Sequence, residues 1–258
     1  MMKIVKDLAL AIQFLTIFPF FPLEQSAKVS IDDENLAKNF SNSMIYFPLV
    51  GLLIGALLVL LNHLLYYISF PILINSALIL FVWACISGGL HVDGFADMID
   101  GFSGGKDKND IMRIMKDSAI GAKGAMALFF IFLLKFVLLV EINLSIRDAA
   151  LLFIPALSRW SMIVGAFFSQ PANLEKGLGR QFMKKLGKRE LILSTIIMII
   201  PGIILFKYYF MFLFGSSILV IWLLLKYCQR KIEGITGDVI GALNEIVELF
   251  SLLILVIL

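Results

Sequence analysis

Seven apolar runs, at about 45–68, 73–90, 125–141, 149–169, 191–206, 208–226 and 239–258, constrain this chain more than anything else in it. Each approaches the length of roughly 20 residues that a helix needs to cross a bilayer. Inside a membrane no water is available to bond the backbone, so such runs must form helices there. Composition agrees, with 60% of residues hydrophobic and 16% charged, against about a half and about a quarter in a soluble domain. The expected fold is an all-α polytopic integral membrane protein of about seven transmembrane helices. It forms one membrane-embedded domain over residues 1–258, in direct contact with the lipid bilayer. A net charge of +3 is too small to argue for nucleic acid. Cys85 and Cys228 have no spacing that suggests a metal site or a disulfide.

The connections separate by charge. Lys106, Lys108, Arg113, Lys116 and Lys123 lie in 91–124, and Lys176, Arg180, Lys184, Lys185, Lys188 and Arg189 in 170–190. Lys226, Arg230 and Lys231 follow the sixth run. The intervening connections hold only Arg147 and Lys207. Cytoplasmic loops carry the excess of Lys and Arg, so the rich loops and the N-terminus are expected inside and the C-terminus outside. Residues 8–22, apolar but ending in Pro19 and Pro22, read as an interfacial or re-entrant segment. Residues 23–44 read as a short surface helix.

The polar clusters then fall on the cytoplasmic side. Asp93, Asp97 and Asp100 are spaced by four and three, and on a helix they share one face. Carboxylates grouped at a bilayer boundary need a cation, and a hard divalent ion such as Mg2+ with a phosphate suits oxygen ligands. A second cluster holds Arg113, Lys116, Asp117, Ser118 and Lys123, with Gly121 and Gly124. Arg159 lies well inside a run and needs an anionic partner or a phosphate. Glu-Lys-Gly-Leu-Gly-Arg at 175–180 contains Gly177 and Gly179. Asp238 and Glu245, two helical turns apart, face one way at the mouth of the last run, where Asp238 also suits a helix start. Lys135 is expected to snorkel or to pair with an acid. His91 is a secondary candidate, and His63 is expected to be structural.

These motifs resemble the cobalamin synthase family, the adenosylcobinamide-GDP ribazoletransferases. The matching blocks are Gln-Phe-Leu-Thr-Ile-Phe-Pro at 13–19, Phe-Pro-Leu-Val-Gly-Leu-Leu-Ile-Gly at 47–55, and Gly-Gly-Leu-His-Val-Asp-Gly-Phe-Ala-Asp with its following Asp-Gly at 88–101. Ile-Met-Lys-Asp-Ser at 114–118, Ser158-Arg159, Gly177-Leu178-Gly179 and Thr236-Gly237-Asp238 continue the series. Ala119 departs from it, standing where the family typically carries arginine, with Lys116 or Lys123 nearby to compensate.

The resemblance implies a Mg2+-dependent transfer in the inner membrane, its site facing the cytoplasm. The 3'-hydroxyl of α-ribazole or of its 5'-phosphate attacks the phosphate attached to cobinamide in adenosylcobinamide-GDP. GMP leaves, and adenosylcobalamin or its 5'-phosphate results. On this reading Asp93, Asp97, Asp100 and Asp117 are catalytic and bind the metal, with Asp238 or Glu245 closing the set. His91, Arg113, Lys116, Ser118, Lys123, Arg159, Gly177 and Gly179 meet the substrate. A CDP-alcohol phosphotransferase-like enzyme, a membrane prenyltransferase and an ion transporter are the rival readings. A homo-oligomer is left open.

Overall fold

The structure is a computed structural model that describes residues 2–18, 34–172, 183 and 185–258. Its helices are α1 (Met2–Leu15), α2 (Glu34–Ser43), α3 (Phe47–Tyr67), α4 (Ile72–Ile86), α5 (Leu90–Gly104) and α6 (Lys108–Ile114). They continue with α7 (Ala122–Glu141), α8 (Leu144–Phe168), α9 (Lys188–Phe206), α10 (Phe210–Ile232) and α11 (Gly237–Ile257). No strand occurs among the described residues. One isolated bridge, Pro171 to Ile235, ties the chain after α8 to the turn before α11.

Five helical stretches are long and apolar enough to span a membrane, and a bent pair makes a sixth. One of the five, Lys188–Ile232, has 45 residues, which as a straight helix would be about 68 Å, over twice a hydrocarbon core. It breaks at Lys207, whose φ is +50°, and folds back. Trp160 reaches both arms, donating to Thr195 Oγ1 at 2.9 Å and packing on Phe214 at 5.3 Å. Counted as two arms, with the bent pair as one broken span, the stretches match the seven apolar runs.

That pair departs from the expected straight second span. The run 73–90 is helical only to Ile86, and the chain then turns by 87° into α5. Gly88 and Gly89 make the turn at φ +61° and +75°, a region L side chains enter at a cost. Residues 90–104 are therefore a packed helix rather than part of a surface loop. α5 runs antiparallel along the starts of α7 and α11: Gly94 lies against Asp238, His91 against Gly241, and Asp100 against Gly121.

α8 is the central helix, and most of its length is buried. α3 packs on it backbone to backbone, because a Cβ at Gly51 would overlap Ala156 and one at Gly55 would overlap Leu152. Without a hydrophobic drive between helices in lipid, such close approach supplies the packing energy. On another side Gly165 admits Leu243 of α11. α1 lies against α3 through Phe14, which stacks on Phe47 at 5.8 Å. The segment read as interfacial thus begins as a helix, and residues 19–33 lie outside the described set.

The three basic connections share one end of the bundle. Lys108 pairs with Glu233 at 2.7 Å, and Ala172 donates to Ile235 O at 2.9 Å. The opposite end carries a polar plug. Arg147, expected in an external loop, is buried there and bonded to Asn62, Asn75, Ser76 and the carbonyl of Leu139. Asp148 beside it accepts from Asn62 and meets His63 at 2.8 Å.

Candidate active site

α5 divides its residues between two faces. His91, Phe95, Met98 and Phe102 are buried, at the spacing of one helical stripe. Asp93, Asp97 and Asp100 follow two positions later and lie on the other side. Asp93, in the first turn, is favoured by the helix dipole. Across from this acidic face stands the start of α11. There Thr236 caps the helix by accepting from the Val239 N–H at 3.3 Å, and its hydroxyl donates to Asp238 at 3.3 Å.

The absence of side chains at two glycines brings these elements together. A Cβ at Gly94 would stand 2.8 Å from the Asp238 carbonyl oxygen, and one at Gly241 would stand 3.2 Å from His91 Cα. Asp97 consequently sits in the combined field of Asp93, Asp238 and Asp100. Neither Asp93 nor Asp97 has a side-chain hydrogen bond or ion pair among the described residues. Such a concentration of unpaired acid is unfavourable without a cation.

Asp100 differs from its neighbours. Both its oxygens are bonded, one accepting from the Gly121 N–H at 2.7 Å and the other from the Gly124 N–H at 2.8 Å. It caps α7 from a distant part of the chain and binds the second cluster to the first. A Cβ at either glycine would overlap the carboxylate. Gly124→Ala is therefore expected to push Asp100 off the α7 terminus and to lower stability by about 1–3 kcal/mol, the usual cost of overpacking. A thermal melt in detergent checks this, and an unchanged midpoint would mean the cap adapts.

The remaining candidates lie elsewhere. Asp117 is exposed and accepts from Ala119 N–H at 3.1 Å, closing its own turn. Lys116 and Ser118 are exposed on that turn. Lys123 donates to the Ser103 carbonyl at 2.5 Å. Arg113 is exposed and pairs with Asp110 at 2.6 Å. This bond, and then the Lys106 N–H, hold the Asp110 carboxyl below its ordinary range. Gly177 and Gly179 lie outside the described residues.

Glu245 does not join the acid cluster. It bonds Lys135 at 2.5 Å in the buried interior, where Lys135 also meets Glu248 at 2.7 Å. Arg159 is directed to the same acid: its Nη1 donates to Glu248 Oε1 and, at 3.0 Å, to Ser158 Oγ. Of the two expectations for Arg159, an acidic partner is what the structure supplies. The one signal in the sequence that points to Glu248 is the need of Lys135 and Arg159 for an anion.

Among the described residues no three His, Cys, Asp or Glu side chains converge tightly enough to hold an ion by themselves. The donor set nonetheless fits Mg2+, which takes one or two carboxylates and completes its shell with water and substrate phosphate. Asp93, Asp97 and Asp238 are hard oxygen donors left without cations. Outside any metal, the arrangement offers carboxylates as proton acceptors where the glycines let α5 and α11 meet.

Comparison with known proteins gives this geometry a family. The model of the family described as cobalamin-5-phosphate synthase matches residues 7–256. An adenosylcobinamide-GDP ribazoletransferase of Clostridium tetani is 36% identical over 257 residues, covering 99% of this chain and 98% of its own. Proteins of the same name from Caldanaerobacter subterraneus subsp. tengcongensis and Fusobacterium nucleatum subsp. nucleatum are 35% and 34% identical. They cover 97% and 92% of this chain, and 97% and 94% of their own lengths. No solved structure matches. The acidic helix, the capping Asp100 and the Thr236-Gly237-Asp238 start of α11 all fall within the matched span, and the chain is an enzyme of the cobalamin-5-phosphate synthase family.

Proposed function

We propose that the chain joins α-ribazole, or its 5'-phosphate, to adenosylcobinamide-GDP in a Mg2+-dependent transfer that releases GMP and yields adenosylcobalamin or its 5'-phosphate. The observation that carries this is the group of acids without a cationic partner among the described residues, Asp93, Asp97 and Asp238, where α5 crosses the start of α11. Bound Mg2+ supplies charge neutralisation to the diphosphate. Asp93, Asp97 and Asp238 hold that ion, and Asp100 fixes the turn 115–121 beside them. The ribazole hydroxyl oxygen bonds to the phosphorus attached to cobinamide as the bond from that phosphorus to the GMP oxygen breaks. A carboxylate of the cluster accepts the hydroxyl proton. Lys116, Lys123 and Arg113 lie on the flanking segments and offset phosphate charge. Such a displacement depends on positioning and electrostatics, with no covalent step required of the protein.

Purified protein given guanine-labelled adenosylcobinamide-GDP and α-ribazole is expected to release GMP in step with the cobalamin product. EDTA stops release and Mg2+ restores it. Product without a metal requirement would remove Mg2+ from the proposal, and no GMP under any condition would favour a transporter. Using the 5'-phosphate in parallel identifies the preferred acceptor.

The site is proposed to face the cytoplasm of the inner membrane. The basic connections at its end of the bundle support this under the positive-inside rule. With Cys85 and Cys228 replaced, a cysteine at Lys106 is expected to resist impermeant reagents in intact cells, while one at Ser145 reacts. The reverse pattern would place the acids outside. Ser145 is the suitable external probe because it is exposed where Arg147 is buried.

A further inference from the structure

α11 carries Asp238 at its start and two further acids deeper in the bundle. Its apolar contacts are Val239, Leu243, Val247, Leu252 and Leu255, all buried. Aliphatic side chains of this kind repeat along the helix and distinguish poorly between one register and the next. The charged residues do distinguish. Glu245 and Glu248 receive Lys135 of α7 at 2.5 and 2.7 Å. Glu248 also receives Arg159 of α8 and, at 3.1 Å, Ser158 Oγ. Asn244 donates to Glu245 at 3.3 Å and to Glu248 at 3.1 Å. The Trp83 ring of α4 lies 5.8 Å from the Lys135 ammonium. Two cations and two acids balance, and all four are buried.

We propose that Lys135, Arg159, Glu245 and Glu248 are positioning residues that set the register of α11 against α7 and α8 and so hold Asp238 beside Asp97. A slip of one turn, about 5.4 Å, would carry one acid into the place of the other and leave Lys135 and Arg159 to share a single carboxylate in place of two. Removing one partner of a buried pair leaves an uncompensated charge, whereas apolar side chains could have filled the same space without that penalty. Register, rather than bulk stability, is what the charges add. The proposal rests on the reading of Asp97 and Asp238 as site residues for its catalytic consequence, but not for its structural one.

The test uses the full-length protein with spin labels at Ala125 of α7 and Gly237 of α11, both exposed. The wild-type chain is expected to give one narrow distance distribution. Lys135→Met broadens it or adds a component shifted by about one turn. Turnover then falls about ten- to hundredfold, with the Mg2+ requirement raised and KM for the corrinoid substrate unchanged. Lys135→Arg restores the narrow distribution and most of the turnover. Glu245→Gln, which keeps a hydrogen bond to Lys135, gives the same change in milder form and serves if Lys135→Met does not fold. A distribution left narrow by both Lys135→Met and Glu245→Gln would overturn the proposal. A narrow distribution with raised KM would assign the network to substrate contact instead. Wild-type protein that releases no GMP would overturn the enzymatic reading alone, since the distance measurement still decides the register.

Discussion

Asp97→Asn removes GMP release, by about a hundredfold or more if Asp97 acts as a preorganised charge at the reacting phosphates. The exchange keeps shape and deletes one charge. Asp97 has no structural partner among the described residues, so folding does not depend on its carboxylate. Relief of its repulsion with Asp93, Asp238 and Asp100 leaves the melting midpoint in detergent unchanged or raised. Lost activity in an equally stable protein is the combination expected. Asp100→Asn separates the two roles, since there the amide cannot accept well from both N–H groups of the α7 start and stability falls as well. A variant at Asp97 with normal turnover and normal Mg2+ dependence would take this residue out of the site.

Glu248→Ala has the largest expected effect on folding. It leaves Arg159 without its acid and halves the compensation of Lys135. Breaking a buried pair in this way costs about 3–5 kcal/mol, a large part of the stability of an ordinary domain. The yield of monodisperse protein in mild detergent is expected to collapse, while Glu248→Gln recovers part of it through retained hydrogen bonds. The His63–Asp148 pair at the other end is more than one-third exposed on both side chains. His63→Ala is accordingly expected to change little, as surface pairs contribute about 0–1 kcal/mol. Equal losses from the two variants would show that burial does not govern these ion pairs.

Much of the bundle was legible because crossing a bilayer is a matter of run length and apolarity, which are local. The acidic face of α5 was legible for the same reason, since spacings of three and four project directly onto a helix. Misreadings arose where local rules meet distant partners. Asp238 and Glu245 do share a face, yet seven residues separate them by about 10 Å along the axis. One therefore meets α5 and the other Lys135. Lys135 and Arg159 announced a need for anions, but their acids lie 110 and 89 residues away, beyond any spacing rule. The second apolar run reads straight through Gly88 and Gly89, a pair that marks a turn but whose bend depends on their conformation, φ +61° and +75°. Arg147 looked like a loop residue because it follows Asn143 and Ser145, which instead begin α8.

The order of synthesis gives the buried charge network a further consequence. Lys135 and Arg159 enter the membrane while the chain still lacks Glu245 and Glu248, at a cost of about 2.5–3.5 kcal/mol each near a helix centre. The Leu and Phe residues around them in α7 and α8 must carry that cost alone until the C-terminal helix arrives. At about 5–20 residues per second, this interval lasts several seconds. A nascent chain stalled before residue 237 would hold two helices with unmatched cations and no Asp238, exposed to membrane quality control. α11, made after α7 and α8, thus brings the acids that the buried cations of both helices require.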